Sequence, residues 1–371
     1  MTRGRQRPGG QLDRLLLGEL SRLFLATLGG VVIVYLVIDF ADRAHTYTGR
    51  AWGLAAAELY ANKAAVVAYQ LAPVALIISA SLLVTLLSRR GELTALFALG
   101  VRPLRLAAPI AVFAAILGLA LVLLGERVVV GADARAEEIQ VKRFNRWGDW
   151  ATYHTGSSWV RGKFGRIYHL GPQRNGGWEP ATVLEIEQPF RLSRRIDARR
   201  IESAGPGRWR LFDAVETRYE LYGGPGGTIF ERRAEVLIEL FPETPADLQL
   251  RSGRPRQLPW RQLREQVRLR EKAGQPTREY EVTLAERVAT PVHVVPAALA
   301  AVGLTFTLRR PRRRMPLAGA VALGMALSLI LWAASVISHA IAVSGAIAPW
   351  VGAAIPGLVS AAIATIALLR A

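Results

Sequence analysis

Six long apolar runs constrain the fold of this chain more than any other feature of its sequence. They lie at about residues 21–41, 65–87, 104–124, 288–308, 317–337 and 346–369. Each is close to the roughly 20 residues that a helix needs to cross a hydrocarbon core about 30 Å thick. The first run is longer than the apolar part of a signal peptide and lacks a small-residue cleavage site, so we expect it to remain as an anchor. The sequence therefore predicts a helical membrane protein with six spans.

The balance of charge supports a membrane location. The chain has 371 residues, of which 51% are hydrophobic, yet its formal net charge at pH 7 is +18. Soluble domains rarely combine these properties, whereas membrane proteins hold arginine and lysine in their cytoplasmic loops. No recognisable nucleic-acid-binding motif contains the basic residues, and many of them flank the apolar runs. We therefore expect no nucleic acid among the partners.

Arginine and lysine are distributed unevenly among the loops. They occur in the N-terminal tail, after the second span, and after the fourth span, where the chain reads RRPRRR from Arg309 to Arg314. The short loop after the fifth span, SHAIAVSGA, contains neither residue type. Short basic loops remain in the cytoplasm, so both termini are predicted to lie inside and residues 125–287 outside.

The long outward segment has the pattern of a β domain. Short alternating runs such as ATVLEIE and AEVLIELF are separated by turn-forming clusters such as GPQRNGG and GGPGG. Regular short strands with such turns indicate an antiparallel sandwich or a jelly roll, here at about residues 144–250. Helical spacing returns at about residues 258–273, which we assign to a connecting helix ended by Gly274. The predicted domains are therefore 1–124, 125–287 and 288–371.

A short charged segment, SRRGELTALFALGVRP, interrupts the apolar sequence between the second and third spans. Gly91 breaks the second span, and Glu92 falls in the first turn of a new helix, where a carboxylate suits the positive end of the dipole. Leu93, Leu96 and Phe97 form one apolar stripe. Gly100 suits a left-handed C-terminal cap. The sequence predicts a short amphipathic helix, either an elbow on the lipid surface or a docking element for a cytoplasmic partner.

This segment resembles the corresponding segment of the LptF/LptG (YjgP/YjgQ) family, the permeases of the lipopolysaccharide export ABC transporter. The similar residues are Glu92, Leu93, Leu96, Gly100, Arg102, Arg105 and Pro109. Further stretches resemble the family in order: LDRLLLGELSRLFLATL, RWRLFDAV, FPETPADLQL and PWRQLREQVRLREKAGQPTREYEVTLAERVATPV. The stretch AYQLAPVALIISASLL is more similar to LptG than to LptF. The resemblance implies six membrane helices in the bacterial inner membrane, with a jelly-roll-like periplasmic β domain inserted between helices 3 and 4.

The resemblance also implies partners. It predicts a heterodimer with a second six-span permease, two copies of a cytoplasmic LptB-like ATPase, a periplasmic bridge component of the LptC/LptA type, and lipopolysaccharide as the cargo. The short helix would then be a coupling helix that sits in a groove of the ATPase, with contacts from Arg90, Glu92, Leu93, Leu96, Phe97 and Gly100. Gly91 departs from the family, which often has serine at this position, so we expect looser capping of the helix.

The resemblance places lipid contacts near the outer end of the first span. Lipopolysaccharide carries phosphorylated sugars on several acyl chains, so its carrier needs cations at the rim of an apolar cavity. In LptG-type chains basic residues near this end serve that purpose, but the matching position here is Asp39. Arg43 and His45 follow closely and are the alternative cationic residues. Asp39 itself, near a span end, is predicted to be interfacial.

Spans one and five would form lateral gates by resemblance. Both contain small residues at four-residue spacing, which allows helices to approach closely. We therefore take as candidate gate residues Ala26, Gly30, Ala320, Gly324 and Ser328.

The sequence contains no recognisable catalytic or metal-binding motif. GSSWVRGKF, residues 156–164, has neither the spacing nor the hydroxyl residue of a phosphate-binding loop. The histidines are scattered and cysteine is absent, which argues against a metal site. We expect no enzyme activity and no cofactor, with ATP bound by the partner. The alternatives are a membrane-anchored scaffold or sensor without transport, and a MacB/FtsX-type permease, which would carry its large domain after the first span.

Overall fold

The computed structural model of the chain describes residues 10–47, 52–144, 158–174, 176–187, 191–219, 228–248, 255–272, 276–308 and 315–370. The basic segments at residues 1–9 and 309–314, on which the predicted orientation partly rests, lie outside these ranges. The chain divides into two compact units. The first contains Met1–Ala136 and Glu281–Ala371, and the second contains Glu137–Tyr280.

The helices of the described chain are numbered in sequence order. They are α1 (Gln11–Arg43), α2 (Trp52–Arg89), α3 (Glu92–Ala98), α4 (Pro103–Leu124), α5 (Val130–Phe144), α6 (Pro245–Leu248), α7 (Trp260–Lys272), α8 (Arg278–Thr307), α9 (Leu317–Val343) and α10 (Pro349–Leu369). A π-helical turn, Gly125–Val129, joins α4 to α5. Six helices are long and apolar enough to cross a membrane: α1, α2, α4 with its continuation to Gln140, α8, α9 and α10. The predicted six-span architecture is confirmed.

Three of the membrane helices begin well before the apolar runs that identified them. α1 begins at Gln11, α2 at Trp52 and α8 at Arg278, where the sequence predicted spans from about residues 21, 65 and 288. Hydropathy marks only the part of a helix that suits hydrocarbon, whereas the backbone remains helical through polar turns at the interface. These polar turns contain the charged side chains described below.

Small residues bring the helices of the first unit together. A Cβ built on Gly118 of α4 would lie 2.6 Å from the carbonyl oxygen of Pro291 in α8, and one built on Gly303 would lie 2.8 Å from Cβ of Ala367 in α10. Four buried alanines line the middle of α8: Ala297, Ala298, Ala300 and Ala301. Dispersion between closely packed backbones is a main source of stability in a bundle surrounded by lipid, where water does not drive association.

The second unit contains a curled antiparallel sheet. Its strands are β1 (Ser158–Arg161), β2 (Arg166–Leu170), β3 (Gln173–Arg174), β4 (Gly177–Trp178), β5 (Ala181–Glu187), β6 (Arg191–Ala198), β7 (Arg200–Gly205), β8 (Arg208–Tyr219) and β9 (Thr228–Leu240). Along the sheet the order is β1-β2-β5-β6-β8-β7-β4-β3, and β9 pairs with β8 on its other side. Because β6 and β7 lie along one edge of the long strand β8, they act as a single strand bent at Arg199. The sheet is a half-barrel, consistent with the predicted jelly-roll-like domain.

One face of the sheet holds the core of this unit. Trp209 is 1% exposed, and its indole N–H donates to the carbonyl oxygen of Glu243 at 3.1 Å. The carboxylate of Glu243 accepts hydrogen bonds from the Tyr168 hydroxyl at 2.7 Å and the Lys163 amide at 2.6 Å. Two of the stretches in which the sequence resembles a known family, RWRLFDAV and FPETPADLQL, therefore meet here around a buried acid whose hydrogen bonds offset its desolvation.

A second buried acid makes the stability of the β unit sensitive to acid. Burial raises the pKa of Glu216, but hydrogen bonds from Arg194 at 2.8 Å and Arg218 at 2.9 Å outweigh it, and the pKa lies below the ordinary value. A lowered folded-state pKa contributes stability above the unfolded pKa of about 4.3, and this contribution is lost as the pH falls through the folded value. We expect the free energy of unfolding to decrease below about pH 4.3, and Glu216→Gln to flatten this decrease. Thermal unfolding of the detergent-solubilised chain, followed by tryptophan fluorescence across this pH range, measures it; equal pH profiles would contradict the assignment.

Candidate functional site

The charged segment between α2 and α4 forms the predicted short helix. Gly91 adopts a φ of +81° and Gly100 a φ of +80°, both in the left-handed region that favours glycine. The Val101 amide donates to the Leu96 carbonyl oxygen and the Gly100 amide to that of Phe97, both at 3.0 Å, which is the Schellman pattern of a helix end. At the other end Gly91 provides no side-chain cap. Two glycine turns therefore fix the direction of α3 between α2 and α4.

The apolar stripe of α3 packs on the chain's own helices. Leu93 is 0% exposed and belongs to the core of the first unit, while Leu96 and Phe97 are partly buried against that core. The ring of Phe97 lies 6.1 Å from that of Phe306 in α8. Leu93 thus packs in the chain's own core, and its predicted contact with a partner's groove stays a prediction. The stripe anchors α3 and leaves its opposite side exposed, namely Thr94, Ala95, Ala98 and Leu99.

Ion pairs fix the segment to the start of α1. Arg105 makes a bidentate contact with Asp13, at 2.6 and 2.8 Å, and Arg90 donates to Glu19 at 2.7 Å. The carboxylate of Glu92 lies 3.9 Å from Arg90 and its side chain is 43% exposed. Glu92 therefore remains available for another cation, whereas Arg90 is already bound to α1.

At the other end of α1, Asp39 is the centre of a buried polar cluster. It is 8% exposed and accepts hydrogen bonds from Lys63 at 2.5 Å and Tyr60 at 2.7 Å, both in α2. Arg43 lies 3.1 Å from its second oxygen. The Tyr60 hydroxyl also lies 2.9 Å from that of Tyr47. A carboxylate with two cations and a hydroxyl around it satisfies its charge inside the protein.

The structure places the predicted headgroup residues as follows. Asp39 joins α1 to α2, Arg43 pairs with it, and His45 is exposed. Sequence reasoning missed Lys63, because it lies 24 residues from Asp39 in a polar turn that hydropathy did not assign to the second span. A lysine about three turns inside α2, directly before its apolar stretch, was the signal that could have found it.

Asp39→Asn is expected to lower the stability of the chain by about 1–3 kcal/mol, the cost of weakening hydrogen bonds to a buried charged group. Lys63 would then lose its ion pair with Asp39 in a largely buried position. Thermal unfolding in detergent, read by tryptophan fluorescence, provides the measurement. Asp42→Asn is the matched control, since Asp42 is exposed on the same turn of α1. If both variants melt alike, the cluster does not stabilise α1 against α2.

Further polar pairs join successive helices at the same end of the bundle. The Asp39 cluster joins α1 to α2. The further pairs connect α2 to α5, the π-helical turn to α8, and α8 to α9. The pairs are Glu58–Arg135 at 2.8 Å, Glu126–Arg287 at 3.4 Å and Glu286–His339 at 2.7 Å. A Cβ on Gly125 would lie 3.0 Å from the Tyr69 hydroxyl, so glycine lets the π-helical turn approach α2 beside these pairs.

The small residues predicted for the lateral gates divide into two groups. In α9 a Cβ built on Gly324 would lie 2.8 Å from the Cα atom of Ile78 in α2. Ala320 is 0% exposed and Ser328 is also buried, with its hydroxyl bound to the Gly324 carbonyl oxygen. This ridge therefore packs inside the subunit, and its role at a lateral gate stays a prediction. Ala26 and Gly30 in α1 are exposed, and no neighbouring element of the described chain comes within 4 Å of a Cβ built on Gly30.

The described parts of the chain contain no group of three or more His, Asp or Glu side chains that could hold a metal ion. The architecture is thus a six-span bundle with a short charged helix at one end, interhelical polar pairs at the other, and an inserted half-barrel. Comparison with curated individual proteins finds no match. Comparison with protein families matches residues 14–370 to the family described as lipopolysaccharide export system permease LptF/LptG. This description covers both members, and the closer resemblance to LptG stays a prediction. The chain belongs to the LptF/LptG family of lipopolysaccharide export permeases.

Proposed function

We propose that this chain is one permease subunit of an ATP-driven exporter that extracts lipopolysaccharide from the inner membrane and passes it to a periplasmic bridge. The observation that carries the proposal is α3: a short helix fixed by two glycine turns, a buried stripe and ion pairs to α1, with one side exposed. A rigid element of this kind transmits force in a way that a loose loop cannot. We infer that the chain itself has no catalytic role and that a partner hydrolyses ATP.

The sidedness follows from the arrangement of charge. Arg89, Arg90 and Arg102 flank α3, in a short loop of the type that stays in the cytoplasm. Helix α3 therefore faces the cytoplasm, and both termini lie on that side. The β unit, inserted after the third span, is then periplasmic.

The exposed side of α3 is the surface offered to the ATPase. Leu99 is 79% exposed at the end of the helix, and Glu92 provides an exposed carboxylate at its start. An exposed leucine and an exposed carboxylate on one helix suit a groove that is lined with apolar residues and has a cation at its edge. With one such helix on each of two permeases, two copies of an LptB-like ATPase would be engaged.

The second permease would cover the apolar sides of α1 and α9. Both helices expose rows of large apolar side chains: Leu25, Ile33, Val34, Val37 and Ile38 in α1, and Met325, Leu329, Ile330, Trp332, Val336 and Ile337 in α9. Gly30 and Ala26 add a smooth strip to the α1 surface. We assign the heterodimer contacts and the lateral openings for lipid to these faces.

The lipid phosphates and the bridge component are assigned to the periplasmic end. Arg43 and Lys63 provide positive charge near the end of α1, and Asp39 holds both in place. Cations of this kind pair with phosphate on a lipid headgroup while the acyl chains occupy an apolar cavity. Strand β9 pairs only with β8 among the described strands, so its outer edge is open for strand addition by an LptC/LptA-type protein.

Copurification tests the proposal. The tagged chain is expressed with its neighbouring genes and extracted in detergent, and the bound proteins are identified while ATP hydrolysis is measured. We expect a P-loop ATPase and a second six-span protein to remain bound. A chain that is recovered alone, with no ATP hydrolysis, would favour the alternative of a membrane-anchored scaffold.

A further inference from the structure

Helix α7 presents an arginine face that the proposed transport function does not use. Arg261, Arg264 and Arg268 are all exposed and are spaced at i, i+3 and i+7. At 3.6 residues per turn these positions fall within an arc of about 60° on one side of the helix. The face is therefore a compact row of positive charge about two turns of helix long.

The opposite side of α7 fixes the direction of this face. Leu263 is 0% exposed and Gln266 is 8% exposed. The guanidinium of Arg270 lies 4.3 Å from the ring centroid of Tyr280, in the first turn of α8. The cation–π contact thus links the C-terminal half of α7 to the start of α8, and the buried side chains leave the arginine face pointing away from the protein.

The three arginines have no acidic partner among the described residues. Glu265 is close to each of them in sequence, yet no ion pair between this glutamate and the arginine face is present in the described structure. The arginines of the sheet behave differently. Several of them pair with acids on the sheet, among them Arg166, Arg194, Arg195, Arg210 and Arg218. The charge on α7 is therefore available to an external anion.

The position of α7 along the chain identifies that anion. Tyr280 precedes Val288, where the apolar stretch of α8 begins, by eight residues, or about 12 Å of helix. The headgroup layer outside each face of the hydrocarbon core is roughly 5–8 Å thick. The part of α7 held against Tyr280 thus lies close to the headgroups, within reach of a Debye length of about 8 Å.

We propose that the arginine face of α7 binds the phosphate groups of anionic phospholipids in the bilayer that surrounds α8. Guanidinium groups match phosphate oxygens bidentately and are more weakly hydrated than ammonium groups. The buried side of α7 is occupied by the protein, so the helix does not insert into the hydrocarbon and the contact is electrostatic. The proposal depends on the membrane location of α8 and is independent of lipopolysaccharide transport.

The absence of cysteine from the chain permits a direct test. Gln262→Cys, at an exposed position beside the arginine face, receives a fluorophore, and the full chain is placed in nanodiscs of phosphatidylcholine mixed with phosphatidylglycerol. Quenching by spin-labelled phosphatidylglycerol, compared with spin-labelled phosphatidylcholine, gives the relative association of the two lipids near α7. We expect phosphatidylglycerol to be preferred, and high salt to remove the preference.

The triple variant Arg261→Gln, Arg264→Gln, Arg268→Gln should reduce this preference at least about fivefold, the effect expected of even one arginine at an anionic surface. The control variant Arg199→Gln, Arg208→Gln, Arg233→Gln removes the same charge from exposed positions on the sheet and should leave the preference unchanged. Equal quenching by the two lipids, or an unchanged preference in the triple variant, would overturn the proposal. The proposal would also be overturned if the fluorophore at residue 262 were equally immobilised in neutral and in anionic nanodiscs. That result would indicate that this part of α7 contacts protein and not lipid.

Discussion

Leu99→Asp is expected to abolish the binding of the ATPase and the ATP hydrolysis that depends on the complete transporter. Leu99 is 79% exposed, while Leu93 on the other side of α3 is fully buried. We expect Leu99 to be a hot spot of the contact, a residue whose truncation costs about 2 kcal/mol or more. A carboxylate in the same groove adds a desolvation cost, so we expect affinity to fall by more than about 30-fold.

Three further variants separate docking from folding. Leu99→Ala removes the contact without adding charge and should give an intermediate loss of affinity. Glu92→Ala removes the exposed carboxylate and should weaken docking while leaving the fold intact. Leu93→Ala, in contrast, creates a cavity in the core and should lower the chain's own stability by about 2–5 kcal/mol. Copurification and ATP turnover report docking, and thermal unfolding of the isolated chain reports the fold.

If Leu99→Asp copurified as much ATPase as the unmodified chain and ATP turnover were normal, the assignment of α3 as the coupling helix would be contradicted. The helix would then be the elbow on the lipid surface that the sequence also allows. Because Leu99 is 79% exposed, the variant should fold normally. A failure to bind the ATPase can therefore be attributed to the surface itself.

The local structure of the α3 segment is predictable from sequence, and its contacts are not. Gly91 and Gly100 mark the two turns because few other residues adopt a positive φ without strain. The spacing of Leu93, Leu96 and Phe97 likewise reveals an apolar stripe. An apolar stripe packs against another apolar surface. The sequence pattern is the same whether that surface belongs to a partner or to the chain's own α8. Only the tertiary structure decides between them.

The same distinction applies to the membrane helices. Ala320, Gly324 and Ser328 lie where α9 approaches α2 closely, but small-residue spacing does not say which helix approaches. Lys63 was missed because its partner Asp39 lies on another helix, and a long-range ion pair leaves no local pattern. The β unit was recognisable from alternation and turns, whereas the bend that joins β6 and β7 into one strand depends on pairing with β8.

The second large effect is expected from Gly324→Leu. A Cβ at this position would lie 2.8 Å from Cα of Ile78 and 2.9 Å from its Cγ1, so α9 and α2 would have to separate. Overpacking against a side chain typically costs about 1–3 kcal/mol, and the backbone atom here cannot move aside as a side chain can. We expect at least about 3 kcal/mol of destabilisation, with little folded protein recovered in detergent. Gly324→Ala should show the same effect to a smaller degree.

Gly30→Leu is the matched control, and it also tests the proposed heterodimer. Gly30 also lies within a membrane helix, but no neighbouring element among the described residues comes within 4 Å of a Cβ built there. The isolated chain should therefore fold and melt like the unmodified protein. If α1 faces the second permease at this point, the leucine should reduce copurification of that permease while the fold is retained.

Equal melting of Gly324→Leu and the unmodified chain would show that α9 does not pack on α2 as described. Full copurification with Gly30→Leu would instead place the permease contact elsewhere on the bundle. The two glycines thus distinguish packing within the subunit from packing between subunits, a distinction that their sequence spacing does not contain.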